Sequence, residues 1–369
     1  MKTSNIKKYI ALGLALAGAA FTPSLHADTQ LLLSGGSASS GVIFERATNL
    51  FGGTGNYTVV NGSSSTTRTY YGSIPGNPGL GTVTLAINLA VGAVGALNDI
   101  SVGSPEPVSI GGGITSSSFI PTIVDSSATP GVVGVDPSQF VELPTYIVPY
   151  VFIKNTNSAN TAGITNLTQN QAQALESSGA TIPAAFFGGS GTNVIYFVGR
   201  NRDSAVRTEI DLNINTTGFQ TYTTNGLGQI VQDTNSVDLE GNIDPGTISG
   251  SAEAGVVAYL TNSIGEVAVQ NIVTGTAALA YNGVAYSTNS VIDGSYALWN
   301  PENYYYIASN ISSNQLAVLN LFYSSITNSS YYSNSQFKNK FIPTPWVRSN
   351  VTRNGDGGPI KPNPGYTVY

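Results

Sequence analysis

Three arginines, Arg200, Arg202 and Arg207, fall within eight positions in the stretch "VGRNRDSAVRTEI", although the whole chain of 369 residues has only 14 Lys plus Arg. The apolar run from Asn193 to Phe197 before them reads as a strand, and "AVRTEIDL" after them reads as an amphipathic helix. A strand that feeds a helix through small residues leaves backbone N–H groups without acceptors at the helix start, where the helix dipole also favours negative charge. Arg200, at the strand end, adds a planar fork that suits an oxyanion, and Ser204 caps the helix while offering its hydroxyl and N–H. The chemistry expected from Asn201, Arg202, Asp203 and Ser204 is therefore anion capture. The alternative is that Arg202 and Arg207 are solvated and that Arg200 pairs with Asp203 or another acid.

The same geometry occurs once more, without arginines. "LLLSGGSASSGVIFERATNLF" runs from a strand at Leu31 to Leu33, through a Gly/Ser loop over Ser34 to Ser40, into a helix whose Val42, Ile43 and Leu50 face a core. Asp125, in "VDSSATPG", reads either as a turn residue or as an acid at a strand end. "DLEGNIDPG" spaces Asp238, Glu240, Asn242 and Asp244 like the first half of a calcium loop, but it lacks the glycine at the sixth position and the closing bidentate glutamate. A polar turn is the plainer reading. Tyrosines cluster at "NYYYI" (303–307) and "SSYYSN" (329–334), where they could stack sugars or join subunits, against core packing and ordinary surface.

Composition narrows the chemistry further. The only histidine is His26 and there is no cysteine, which removes thiol nucleophiles, histidine bases, His/Cys zinc sites and disulfides. Carboxylate catalysis and pure binding remain, and no cofactor is implied. A carboxylate enzyme such as a glycosidase needs two acids about 5 to 10 Å apart across a cleft, and no acidic pair here has a motif to recommend it.

Residues 1–27 read as an export signal: Lys2, Lys7 and Lys8 are basic, Tyr9 to Phe21 are apolar, and Leu25 to Ala27 form an A-x-A-like cleavage site. The apolar run of 13 residues is short of the roughly 20 needed to span a bilayer, so no membrane span is expected after cleavage. Without those three lysines the balance of 11 basic against 20 acidic residues is a net charge of −9, which argues against nucleic acid as a partner. No lipobox cysteine is present, and the expected location is periplasmic or secreted.

The elements that must position these residues alternate between apolar runs and helical patterns, which points to α/β layering. No repeat of 20 to 50 residues is evident. Tyr57 to about Ile110 reads as β-rich. "FVELPTYIVPYVFIKN" (140–155), kept extended by Pro144 and Pro149, reads as a crossing between lobes with a hinge. "NLTQNQAQALESSG" predicts a helix capped by Thr168 and Gln171 and stopped at Gly179. Two more helices are expected over 250–260 and 312–326, and the tail "NGDGGPIKPNPGYTVY" reads as a surface loop.

Taken in order, "LLLSGGSASSGVIFERA", "PTIVDSSA", "VPYVFIKN", "GITNLTQNQAQAL", "VIYFVGRNRDSAVRTEI", "GSAEAGVVAYL" and "AYNGVAYSTNSVIDGSYALWNPENYYY" resemble the landmarks of phosphate-type substrate-binding proteins of ABC uptake transporters, over about residues 30 to 345. The resemblance implies a two-lobed α/β fold of the type 2 periplasmic-binding-protein kind, with mixed sheets flanked by helices. It implies lobe 1 over 28–145 plus 271–345, lobe 2 over 146–270, and a C-terminal tail over 346–369. It also implies hinge closure around phosphate or a similar oxyanion, with an ABC transporter permease as partner. The family's site maps onto Ser39 and Ser40, Asp125 followed by Ser126, Arg200, and Ser204 next to Asp203. The acid would accept a hydrogen bond from a protonated phosphate and repel fully ionised sulfate. Two departures stand out: Ala205-Val206 replaces a Gly-Thr pair, and Ala93 replaces a hydroxyl residue. A cell-surface structural or interaction protein that reuses the fold without a ligand is the competing expectation.

Overall fold

The computed structural model describes residues 29–364 apart from 54, 63–64, 110–116, 179–180, 238–241 and 335. The expected export signal, Gly179, Asp238 and Glu240 lie outside the described residues. A mixed sheet of eleven strands organises the chain. Nine of them are β1 (Thr29–Gly35), β2 (Tyr57–Asn61), β3 (Thr67–Ser73), β4 (Thr82–Asn88), β5 (Ile123–Ser126), β6 (Val141–Asn155), β7 (Tyr196–Val198), β8 (Ser263–Ala268) and β9 (Trp299–Tyr306). They lie in the order β7-β8-β6-β9-β5-β1-β4-β3-β2, and Thr276–Ala278 and Ile342–Pro343 also pair with β6. β1 lies parallel to both β4 and β5. Both of its faces are therefore covered, which is why Leu31, Leu32 and Leu33 form an unbroken buried run.

One strand makes the molecule two-lobed. β6 pairs with β9 through residues 141–149 and with β8 through residues 150–154. At about 3.3 Å per residue its 15 residues reach about 50 Å. Pro144 and Pro149 hold φ near its extended value, and the strand is buried from Thr145 to Asn155. The crossing strand expected from the sequence is thus a continuous element shared by two sheet halves.

Six helices matter for the site: α1 (Ser40–Leu50), α2 (Ala93–Val102), α3 (Gln169–Ser178), α4 (Ala205–Ile214), α5 (Gly250–Tyr259) and α6 (Ser313–Ile326). α1 packs on α6, α2 on β5 and β1, and α5 on β8. The Thr168 cap of α3 is present, since the Gln171 N–H donates to Thr168 Oγ1 (3.3 Å) and the Thr168 N–H to Gln171 Oε1 (2.9 Å).

Two expectations need correction. The β-rich stretch from Tyr57 to Ile110 contains α2, because Ala93, Ala96, Leu97 and Ile100 recur at helical spacing and are buried. The tail, expected as a surface loop, forms a hairpin of β10 (Val351–Arg353) and β11 (Ile360–Pro362). Its turn is tied into the body of the molecule by the polar contacts described next.

Candidate functional site

Three helix starts face one another where the two lobes meet. β1 ends at Gly35, and the chain turns through Ser37–Ser39 into α1. α2 begins at Ala93 after Gly92, and α4 begins at Ala205 after Ser204. Gly36, Ser37, Ala38 and Ala93 from lobe 1 line a cavity of about 10 Å³ together with Arg200, Ser204, Ala205 and Val206 from lobe 2. That is room for about one water. Glu302 and Ser127 complete the wall. The N–H groups of Ala205 and Val206, in the first turn of α4, have no acceptor within their own helix.

The lobes touch directly around this cavity. The Val94 N–H donates to the Asp203 carbonyl (3.0 Å), so one N–H of the α2 start is already used by the opposite lobe. Gly92 makes the approach possible: its φ is +88°, and a Cβ there would lie 2.4 Å from Asp203 O. Nearby, the Gly250 N–H donates to Ser37 Oγ and Gln270 Nε2 donates to the Ser37 carbonyl, both at 3.4 Å.

On the lobe 2 wall each of the three arginines has a polar or aromatic partner. Arg200 is 2% exposed, and its guanidinium donates from Nε to Thr247 O (3.1 Å) and from Nη2 to Ile248 O (3.2 Å). Burial lowers its pKa, against the raising effect of the Glu253, Glu266 and Asp203 charges. Arg207 lies 3.3 Å over the Phe219 ring and donates to the Arg200 carbonyl (3.2 Å), with Asp211 3.5 Å from its Nε. Only Arg202 is solvated, its side chain 76% exposed and 3.7 Å from Asp244. Ser204 Oγ accepts from the Arg207 N–H (3.3 Å) as the α4 cap, and the Asp203 carboxylate accepts from Asn201 Nδ2 at 3.5 Å.

The lobe 1 wall is different. Asp125 and Ser39 are fully buried, and neither Asp125 oxygen nor Ser39 Oγ has a hydrogen bond of normal length. Burial pushes the Asp125 carboxyl up to about 7, partly offset by Ser39 and Glu302, the polar side chains that face it. Burial and the Asp125 charge push Glu302 well above the usual carboxyl range. At neutral pH the two acids therefore hold at least one proton between them. Ser126 is not free to join them, since its Oγ donates to Ala128 O (2.8 Å) and accepts from the Ala128 N–H (3.1 Å). Ser40 is half-buried as the first residue of α1, and like Ser39, Asp125, Ser126 and Asp203 it does not line the cavity; of the expected site residues Arg200 and Ser204 do.

Sequence reasoning missed Glu302 and Ser37. The signal for Glu302 was a lone acid in the otherwise uncharged run "ALWNPENYYY". It also missed the tail, which reaches both lobes. Asp356 Oδ2 accepts from the Thr129 N–H (2.7 Å) and hydroxyl (2.8 Å), and its Oδ1 accepts from Asn300 Nδ2 (3.0 Å). Arg353 donates to Asn213 Oδ1 on α4 (3.0 Å), to Gly358 O (3.1 Å) and to Ala297 O, and lies 4.5 Å over the Trp299 ring. Glu209 of α4 faces Asp356, with the Gly357 backbone beside it.

The tyrosine clusters serve packing. Tyr304 stacks on Phe322 (6.0 Å) and Tyr331 packs on Tyr332 and Phe337, with Arg46 3.6 Å over its ring. Of the calcium-loop residues, Asp244 binds the Arg202 N–H (2.8 Å). Among the described residues no acidic cluster could hold a metal, and no helix is long and apolar enough to cross a membrane.

No protein-family profile and no curated protein sequence matches the chain. Solved structures do. One is assigned as a phosphate ABC transporter substrate-binding protein, with bound phosphate, from Clostridium perfringens; it is 14% identical with a TM-score of 0.55, over 86% of this chain and all of that one. Another is an ABC-type phosphate transport receptor from Vibrio cholerae, 12% identical with a TM-score of 0.51, over 85% of this chain and all of that one. The chain shares the two-lobed fold of these substrate-binding proteins.

Proposed function

We propose that this chain is an exported solute-binding protein that captures a small oxyanion, phosphate or one like it, between its lobes. The observation that carries the reading is the meeting of three helix starts and buried Arg200 at one small cavity, behind which lie an Asp125 and a Ser39 whose oxygens have no hydrogen bond of normal length. Ser37, Ser39, Arg200, Ser204 and the N–H groups of Ala205 and Val206 are the proposed donors. Asp125, when ionised, is the proposed acceptor of a hydrogen bond from a protonated oxyanion, with Glu302 holding the pair's proton, so a protonated oxyanion is favoured over sulfate. Export rests on the pattern of residues 1–27, and delivery to a membrane permease on the names of the two similar proteins.

A cavity of about 10 Å³ admits an oxyanion only after the lobes part. Residues 28–145 with the later return form the proposed lobe 1 and residues 146–270 the proposed lobe 2. The return is better placed after Tyr281 than at 271, because Thr276–Ala278 pairs with residues 153–155 of β6 and Ala280–Tyr281 with Asn166–Leu167. Ala93 and Val206 offer no hydroxyl, and each of the two missing charge-assisted bonds costs about 1.5 to 3 kcal/mol, so affinity is expected to be modest.

A second reading, the same fold without a ligand, is favoured by the Asp203 carbonyl at the Val94 N–H and by the tail that joins both lobes. Isothermal titration of residues 28–369 with phosphate and sulfate separates the two. Phosphate heat that Arg200→Lys reduces at least tenfold, with the charge kept and the fork lost, supports capture. Absence of heat from both anions, in the folded protein and in a variant without the tail, supports the second reading and overturns the first.

A further inference from the structure

A second cavity, of about 570 Å³, opens at the ends of β2, β3 and β4, and its chemistry differs from that of the anion cleft. It lies outside the carboxyl end of β4, the edge of an open α/β sheet where ligands characteristically bind, and its size is that of an organic-ligand pocket. Both lobes contribute: Val60, Thr67, Ala90 and Ser109 come from lobe 1, and Ile248 and Ser249 from lobe 2.

None of its thirteen lining residues is ionisable. Glu106, beside the lining residue Pro107, is 2% exposed, and its oxygens accept from Ser34 Oγ (2.6 and 2.7 Å) and Asn88 Nδ2 (3.0 Å). A charged ligand would lose its hydration here and gain no counter-charge.

The polar lining consists of hydroxyls and amides, and Gly62 lets two of them converge. A Cβ at Gly62 would fall 1.7 Å from Thr67 Oγ1 and 2.6 Å from Ser109 Oγ. The apolar lining is equally specific in kind: Val60, Pro107 and Ile248 are aliphatic, and Ile248 is 44% exposed. Hydroxyl and amide groups set among aliphatic carbons match a sugar ring, which has hydroxyls around its rim and C–H groups on its faces.

We propose that this pocket binds a neutral carbohydrate of one or two rings, held between Thr67, Ser109 and Asn61 on lobe 1 and Ile248 and Ser249 on lobe 2. Such a ligand touches both lobes and favours their closed arrangement. The site is separate from the oxyanion reading and does not depend on it.

The test is saturation-transfer NMR and isothermal titration of residues 28–369 with D-glucose, N-acetyl-D-glucosamine and cellobiose. At least one sugar is expected to bind with a Kd below about 10 mM, and saturating phosphate should not displace it. Ala90→Phe, which fills the pocket, should weaken binding at least tenfold. Ile248→Ala, at an exposed side chain that folding does not need, should weaken it several-fold. Circular dichroism melts confirm that both variants fold. The proposal is overturned if none of the three sugars binds, or if a sugar binds equally well to both variants. A failed phosphate titration alone counts against the oxyanion cleft and leaves this site standing.

Discussion

The two walls of the interlobe cleft meet the same problem, buried polar groups at helix starts, with opposite solutions. On the lobe 2 wall Arg200 donates to two carbonyls, Arg207 stacks on Phe219 and Ser204 caps α4. On the lobe 1 wall the Asp125 oxygens and the Ser39 hydroxyl are buried without a normal hydrogen bond, and a shared proton keeps the Asp125–Glu302 pair from carrying two charges. A buried polar group without a partner costs about 1 to 3 kcal/mol, and both lobes hold such groups: Asp125 and Ser39 in lobe 1, and Asn201 Oδ1 and the oxygens of Glu266 in lobe 2. The difference lies at the helix starts themselves: the arginines and the Ser204 cap of lobe 2 have partners, whereas the Ser39 hydroxyl and the Asp125 oxygens of lobe 1 have none of normal length.

The largest expected effect tests the lobe 2 wall. Arg200→Met leaves the Thr247 and Ile248 carbonyls without their donor and removes the positive charge that faces Glu253 and Glu266. Breaking a buried charged network of this kind costs about 3 to 5 kcal/mol. Urea unfolding of the variant should show that loss; a change under about 1 kcal/mol would mean that Arg200 is not integral to lobe 2.

The next effect belongs to the lobe 1 wall and follows pH. Asp125 binds its proton more tightly folded, at about 7, than unfolded, near its ordinary 3.8. The folded state therefore holds more protons across this window, and stability falls as pH rises from about 4 to about 7. At 1.36 kcal/mol per pK unit the loss reaches about 4 kcal/mol. Glu302, Glu176, Glu209, Glu253 and Glu266 are raised in the same direction, chiefly by burial, so the melting temperature should be highest in mild acid. Asp125→Asn should make the profile between pH 4 and pH 7 shallower, the other buried acids keeping part of the slope, and raise stability at pH 7. A wild-type melting temperature that climbs through this window would contradict the assignment.

The difference between the walls also explains what the sequence disclosed. The starts of α1 and α4 were legible, because Gly and Ser between an apolar run and an amphipathic one have few other uses, and the same holds for the extended run with Pro144 and Pro149; the α2 start, inside a stretch read as β-rich, was not. The partners were not. That Arg200 turns to carbonyls at 247 and 248 depends on β-bridge register across 47 residues. Glu302 meets Asp125 only because β9 pairs with β5. The tail was misread for a related reason: Arg353 and Asp356 look like ordinary surface charges until α4, Thr129 and Asn300 are brought beside them. Local pattern fixes an element's start, whereas the satisfaction of its polar groups is a long-range property.

A smaller effect concerns the tail that spans both walls. Asp356→Ala removes three acceptor contacts, two to Thr129 and one to Asn300, and leaves Glu209 with one acid fewer beside it. Hydrogen bonds to a charged group contribute about 1.5 to 3 kcal/mol, and relief of the acid pair offsets part of that, so a net loss of about 1 to 2 kcal/mol is expected. Amide hydrogen exchange should quicken at the Thr129 N–H and near Gly357 while α6 stays protected. Faster exchange throughout the chain would make the tail part of the core and not a local tie.

The smallest effect separates the walls most cleanly. Ser39→Ala removes a buried hydroxyl that makes no hydrogen bond of normal length and loses only its weak polar contact with Asp125, so it is expected to change stability by less than about 0.5 kcal/mol. Ser204→Ala deletes the acceptor of the Arg207 N–H at the α4 start, and loss of such a cap costs about 1 kcal/mol. Two serine hydroxyls at two facing helix starts should thus differ in cost, with the lobe 1 serine the cheaper. If Ser39→Ala proves as damaging as Ser204→Ala by urea unfolding, the Ser39 hydroxyl is already in use within lobe 1, and the contrast between the two helix starts is lost.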